Sequence, residues 1–144
     1  MGLLVSCLII HTLLAASVPS TWWVPNLTLV GLVLAIGRSP VQWLALSGLA
    51  GLWTAVWAVR LPGVVLLGYL GCGWIAQSVA RRWDMTEARV QSGLVGIASL
   101  LMTVGMLWLD GLWSIPLLGL AGAHVVVTCA AAPLLRLVLA GRMM

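Results

Sequence analysis

The stretch that decides the fold is residues 64–82, which read VVLLGYLGCGWIAQSVARR. Its first 17 residues carry no charged side chain, and Arg81 and Arg82 follow at once. A helix needs about 20 mainly apolar residues to cross the roughly 30 Å hydrocarbon core of a bilayer. This stretch is therefore predicted to be a membrane-spanning α-helix that ends at a charged, water-facing turn.

The same pattern recurs on both sides of this stretch. Gly37 and Pro40 mark one turn between apolar runs, Asp110 with Gly111 marks another, and Pro133 predicts a kink near the end of the chain. Asp84 and Glu87 have the spacing of a capping box, which predicts a helix start at Met85. The runs predict six helices, over residues 2–17, 22–36, 41–59, 64–80, 85–109 and 114–132.

The composition indicates lipid as the natural solvent. Hydrophobic residues make up 62% of the 144 residues and charged residues only 7%, with a mean hydropathy of +1.15. A soluble domain carries about 25% charged residues. No Lys or Arg precedes the first apolar run, so that run is predicted to be an uncleaved helix rather than a signal peptide. We predict one all-α polytopic membrane domain over residues 1–144.

The basic residues predict the orientation of this domain. All seven are arginines, and they are too scattered to form a nucleic-acid-binding patch. Six crossings place only Arg60 on one side of the membrane. The other side receives Arg38, Arg81, Arg82, Arg89, Arg136 and Arg142. Because cytoplasmic loops carry the excess of arginine, both termini are predicted to be cytoplasmic.

Few polar side chains within the spans suggest chemistry. Asp110 is the only acid outside the loop of residues 81–89, so a pair of catalytic carboxylates is not possible. We predict no enzymatic activity, no metal site and no cofactor. His11 and His124 lie mid-way along the first and last spans, where they either bond to neighbouring helices or, as an alternative, ligate a haem iron. The separate cysteines Cys7, Cys72 and Cys129 are predicted to be packing residues.

Small residues recur at helical spacing and let helix backbones approach closely. They are predicted to pack the bundle internally, and the alternative is a groove for the transmembrane helix of a partner. The pairs are Ser47 with Gly51, Gly51 with Ala55, Gly68 with Cys72, Ser92 with Gly96, and Gly119 with Ala123.

The order of these features resembles a known family. Residues 23–27 read WVPNL and open a short helix, and residues 37–40 read GRSP at the next turn. Residues 45–52, ALSGLAGL, form a run of small residues, residues 68–70 read GYL before the basic Ala80-Arg81-Arg82 segment, and residues 132–137 read APLLRL. Along nearly the whole chain, this order is similar to the rod-shape-determining protein MreD family.

The resemblance implies a six-helix fold, similar to the substrate-binding subunits of energy-coupling-factor transporters, in the bacterial plasma (inner) membrane. It implies a non-enzymatic scaffold subunit of the cell-elongation complex that builds peptidoglycan. The implied direct partner is the bitopic protein MreC. The indirect partners are the elongation glycosyltransferase, a class B penicillin-binding protein and the filament protein MreB.

Two further expectations follow. A vitamin-binding transporter subunit is the alternative function, although the outer half offers few polar groups, such as Asn26, Thr28 and Thr54, for a ligand. The candidate partner-interface residues are charged: Arg60, Asp110, Arg81, Arg82 and Arg89. Arg60 and Asp110, alone on the outer face, are expected either to approach one another or a partner's charge, or simply to reach water.

Overall fold

The computed structural model describes residues 2–18, 24–58, 61–85, 87–111 and 114–141, with side chains as far as residue 138. Each of the six predicted apolar runs contains one α-helix, which confirms the all-helical prediction for the described residues. The helices are α1 (Gly2–Ser17), α2 (Leu27–Arg38), α3 (Trp43–Trp57), α4 (Pro62–Ala80), α5 (Ala88–Leu109) and α6 (Ile115–Gly141), and a 3₁₀ turn over Pro40–Gln42 joins α2 to α3.

Three of these helices are long and apolar enough to cross a bilayer: Pro62–Ala80, Ala88–Leu109 and the part of α6 over Ile115–Val138. Many large apolar side chains on the outside of the bundle are exposed, including Val56 on α3, Leu67 on α4 and Val126 on α6. Lipid, unlike water, is a favourable solvent for such surfaces. The three helices therefore indicate a membrane protein.

Helix α2 lies at the centre of the bundle. Every residue from 28 to 36 is buried, and α2 contacts all five other helices. Its 12 residues span roughly 18 Å at about 1.5 Å per residue, which is shorter than a bilayer core. Because its neighbours surround it, α2 needs little contact with lipid, which explains how a short helix fits in this fold.

Helices α3 and α4 pack closely through small residues. A Cβ atom added to Gly73 would overlap with Ser47 Oγ, and one added to Gly51 would lie 3.2 Å from the backbone of Leu66. Elsewhere, Gly31 faces Cys7 and Gly96 faces Cys129 at similar closeness. Internal packing is thus confirmed for Ser47, Gly51 and Gly96, whereas Gly119 has open space beside it.

The predicted start of the fifth helix was wrong. Helix α5 begins at Ala88, and Glu87 at its N-cap makes no side-chain capping bond. Instead of opening the helix, Met85 is buried beside Gly37, and its carbonyl oxygen accepts a hydrogen bond from Gln91 Nε2 at 2.5 Å. Burial of the Met85 side chain and the hydrogen bond to its backbone carbonyl oxygen favour a turn here over an extra turn of helix.

The other boundaries differ less. Helix α2 begins at Leu27 and continues through Gly37 to Arg38, so Pro25 precedes the helix and Gly37 does not end it. Helix α5 ends at Leu109 as predicted, where Gly111 takes a left-handed φ of 66°. The sixth helix does not end near Pro133 but runs on to Gly141, because the flanking Ala132 is buried against the core.

Candidate functional site

A cavity of about 400 Å³ lies at one end of the bundle. We call this the cavity end: it is where α1, α3 and α5 end and where α2, α4 and α6 begin. Polar side chains from all six helices or their caps reach it: His11, Asn26, Thr54, Tyr69, Thr103, Asp110 and His124. The remaining lining is apolar: Ala15, Val24, Val65, Met102, Met106 and Leu107. The volume and the mixed lining are those of a small-molecule site.

Asn26 joins three helices at the base of this cavity. Its Oδ1 atom accepts a bond from the backbone N–H of Leu29 at 3.0 Å, which caps α2, and another from the Tyr69 hydroxyl of α4 at 3.2 Å. The backbone N–H of Asn26 donates to Thr128 Oγ1 of α6 at 3.1 Å. A backbone N–H only donates, so the bond from Leu29 identifies the amide oxygen without ambiguity.

Helix α1 is attached to the same region by two bonds. His11 Nδ1 lies 3.2 Å from the carbonyl oxygen of Pro25, just before the N-cap of α2. At the next residue of α1, Thr12 Oγ1 accepts a bond from Trp53 Nε1 of α3 at 3.0 Å. These bonds tie α1 to α2 and α3 and hold the imidazole of His11 at the cavity wall.

The two histidines singled out in the sequence, His11 and His124, line the same cavity. Their role as hydrogen-bonding groups is confirmed for His11 by its bond to Pro25. Among the described residues there is no group of three or more His, Cys, Asp or Glu side chains placed to hold a metal ion. The haem alternative stays a prediction.

The charged residues predicted to form a partner interface lie at opposite ends of the bundle wherever the structure describes them. Asp110 caps the C-terminus of α5 and lines the cavity, whereas Arg60 lies outside the described residues. Arg81, Arg82 and Arg89 are exposed at the other end, near the turns that follow α2 and α4, which we call the arginine end. Arg89 and Arg136 line a shallow depression there together with Glu87. Arg142 also lies outside the described residues.

Sequence reasoning underestimated the polar groups of this site. It assigned Asn26, Thr28 and Thr54 to a possible pocket, but Thr28 is buried outside the lining, and it missed Tyr69 and Thr103. One signal was present: Thr103, Met106 and Asp110 are spaced three and four residues apart and so share one face of α5. The three cysteines are free, with Cys7 and Cys72 buried and Cys129 half-buried.

Comparison with known proteins gives no family assignment. No protein-family model matches the chain, and no curated protein and no solved structure matches it significantly. The resemblance to the MreD family therefore rests on the sequence motifs alone.

Proposed function

We propose that this chain is a non-enzymatic scaffold subunit of a bacterial cell-elongation complex, located in the plasma membrane and crossing it six times. Its direct partner in this proposal is a bitopic MreC-like protein. Through that protein it reaches the glycosyltransferase and the class B penicillin-binding protein of wall synthesis, and MreB on the cytoplasmic side.

The observation that carries the proposal is the structural position of the WVPNL motif. Within this motif, Pro25 accepts the bond from His11 of α1, and Asn26 caps α2 and bonds to Tyr69 of α4 and Thr128 of α6. The described residues of the strongest motif of the resemblance thus hold four helices together. This is the role expected of a motif whose function is to maintain a rigid membrane scaffold.

The distribution of charge supports the six crossings. Arg38 is the last residue of α2, Arg81 and Arg82 directly follow α4, and Arg89 lies in the first turn of α5, so all four belong to the arginine end. A re-entrant pair formed by α2 and α3 would place Arg38 in hydrocarbon at a cost of about 3 kcal/mol or more. Six crossings with the arginine end in the cytoplasm avoid this cost.

The topology is tested with reporter fusions. Fusions after Arg38, Arg89 and Met144 should report the cytoplasm, and fusions after Pro19, Arg60 and Gly111 should report the periplasm. Fusions to a membrane protein of known orientation serve as the control. A periplasmic report after Met144 would contradict the model of six crossings.

The partner is tested by affinity purification from native membranes. A bitopic protein with a large periplasmic domain should be recovered with this chain. Loss of that protein from rod-shaped cells should cause the same rounding as loss of this chain.

Asp110→Arg at the cavity end should weaken recovery of the bitopic protein, and adding Arg60→Asp should restore part of it. Asp84→Arg, the same charge change at the arginine end, tests in the same way whether the interface also includes Arg81, Arg82 and Arg89. Undiminished recovery with Asp110→Arg would remove Asp110 from the interface, and failure to recover any bitopic protein would contradict the proposed function.

A second candidate function is the substrate-binding subunit of a small-molecule transporter, and the cavity favours it. Seven polar side chains converge there, more than the sequence had indicated. Recovery of a cytoplasmic ATPase module in the same purification, in place of a bitopic protein, would support this function over the scaffold.

A further inference from the structure

The hydroxyl groups that line the cavity have already donated their protons. Thr54 Oγ1 donates to the carbonyl oxygen of Ala50 at 2.5 Å, and Thr103 Oγ1 donates to that of Ser99 at 2.8 Å. The Tyr69 hydroxyl donates to Asn26 Oδ1. A hydroxyl group has one proton and two lone pairs, so in this arrangement the oxygen atoms of Thr54 and Thr103 offer lone pairs to a ligand, whereas the buried Tyr69 hydroxyl also bonds to Thr54.

The imidazole of His11 also presents an acceptor. A carbonyl oxygen only accepts hydrogen bonds, so the contact with Pro25 requires the proton of the neutral ring to be on Nδ1. Nε2 then carries the lone pair and is a further acceptor. Asn26 Oδ1 already accepts two bonds, which leaves the amide nitrogen of Asn26 as the donor that this residue contributes.

The charge of the lining agrees with this inventory. Among the described residues that form the cavity there is a carboxylate, Asp110, but neither an arginine nor a lysine. An anionic ligand would therefore meet several lone pairs and neither an arginine nor a lysine, with the imidazole of His124 and the amide nitrogen of Asn26 as the donors, and its desolvation would be costly. A ligand with several N–H donors meets acceptors on α1, α3, α4 and α5.

The other wall of the cavity selects for an apolar body. Val65, Met102, Met106 and Leu107 face the same space, and methionine side chains adapt to ligands of varied shape. A volume of about 400 Å³ accommodates a molecule of the size of an aromatic amine. The polar and apolar walls together describe an amphipathic ligand.

We propose that the cavity is a binding site for a small organic ammonium ion, whose protonated amino group donates to the acceptors on Thr54, Thr103 and His11 and whose apolar body packs against Met102 and Met106. This site goes beyond the proposed scaffold function and does not rest on it, because the argument uses only the cavity and its hydrogen bonds.

The test uses the full chain in nanodiscs of phosphatidylcholine, and the probe is phenethylammonium. Binding is measured by equilibrium dialysis near pH 8, where an alkyl amine with a pKa of about 10 is charged. Empty nanodiscs correct for partition into lipid. Phenethyl alcohol has the same apolar body without the charge, and hydrocinnamate carries a negative charge on a similar body. Phenethylammonium should bind at least about tenfold more tightly than hydrocinnamate, with phenethyl alcohol between them, since bonds to charged groups are the stronger ones.

Two isosteric variants locate the binding. Thr103→Val and Thr54→Val each remove one acceptor while keeping the shape of the side chain, and each should weaken phenethylammonium binding by about tenfold. Ser99→Ala is the matched control, because Ser99 lies one turn from Thr103 on α5 but does not line the cavity. Its affinity should stay within about twofold of the unchanged chain.

Three results would overturn the proposal: no saturable binding of phenethylammonium, hydrocinnamate binding at least as tightly, or unchanged affinity in both valine variants. None of these results bears on recovery of a bitopic partner, so the site and the scaffold function fail independently.

Discussion

Helix α4 meets its two neighbours α3 and α5 in different ways. Towards α3, Gly73 and Leu66 press against Ser47 and Gly51 so closely that a single added methyl group would overlap with its neighbour. Towards α5, Gly68 packs against Met102, but Val65 and Tyr69 face Met106 across the cavity, and α4 contacts α5 far less extensively than α3. One helix thus combines a rigid seam with an open site.

The difference follows from side-chain size and polarity. Small residues let two backbones approach until the space between them is filled, which fixes their relative position. Between α4 and α5, the Tyr69 hydroxyl donates to Asn26 at the cap of α2 and the Thr103 hydroxyl donates to Ser99 of its own helix, so neither bond joins α4 to α5. The close contact of Ser47 and Gly51 with α4, which we call the seam, and the hydrogen bonds of Asn26 fix the helices that surround the cavity.

The largest effect is expected from breaking the seam. Gly73→Val should lower the free energy of unfolding by about 3 kcal/mol, because its side chain would overlap with Ser47. Unfolding in mixed micelles with a denaturing detergent, followed by circular dichroism, measures the loss. Gly71→Val is the control, since nothing lies within 4 Å of a Cβ at Gly71, and it should change stability by less than about 0.5 kcal/mol. Equal losses in the two variants would show that the seam is not tightly packed.

A smaller effect is expected at Asn26, which joins α2, α4 and α6 at the base of the cavity. Asn26→Ala should destabilise the fold by about 2 kcal/mol, about half from the lost cap of α2 and half from the lost bond with the Tyr69 hydroxyl. In a Tyr69→Phe background the same change should cost only about 1 kcal/mol, because that bond is then already absent. Asn26→Asp keeps both acceptor bonds and is the matched control. Identical costs of Asn26→Ala in the two backgrounds would refute the coupling.

The smallest effect is expected just behind the cavity wall. Ser99 is buried, and its hydroxyl group has no hydrogen-bond partner within the described part of the chain. Ser99→Ala should therefore raise the free energy of unfolding by up to about 1 kcal/mol. Ser78→Ala, which removes an exposed hydroxyl bonded to the Trp74 carbonyl, should have almost no effect. If Ser99→Ala proved destabilising, the hydroxyl group of Ser99 would have a hydrogen-bond partner. The contact of α5 with its neighbours would then be closer to the tight α3–α4 contact than described.

Local features of the fold were predictable from the sequence, because hydropathy is a local property. Each apolar run contains a helix, and Gly111 ends α5 where the sequence indicated. The turn at Met85 was not predictable, since the residue leaves the helical pattern only because Gly37, nearly 50 residues earlier, leaves room for its side chain. The number of crossings stays a prediction for α1, α2 and α3, whose lengths fall below that of a full span.

The cavity was predictable only in part for the same reason. Spacing along α5 shows that Thr103 and Asp110 share a face, but no pattern within α5 says that this face meets Tyr69 of α4 and His11 of α1. The direction of each hydrogen bond determines the chemistry of the ligand, and it depends on which acceptor each hydroxyl or ring N–H bonds to. That information exists only in the assembled bundle.

The bond between the backbone of Asn26 and Thr128 has a consequence for biosynthesis. Its two members are 102 residues apart in the chain. At about 5–20 residues per second, a ribosome needs roughly 5–20 s to make the second after the first. During that interval the N–H at the start of α2 must bond to water or to the insertion machinery, because hydrocarbon offers it no partner. Helix α6, which is synthesised after α2, therefore completes the hydrogen bonds at the start of α2, and this part of the bundle reaches its final structure only after α6 has been made.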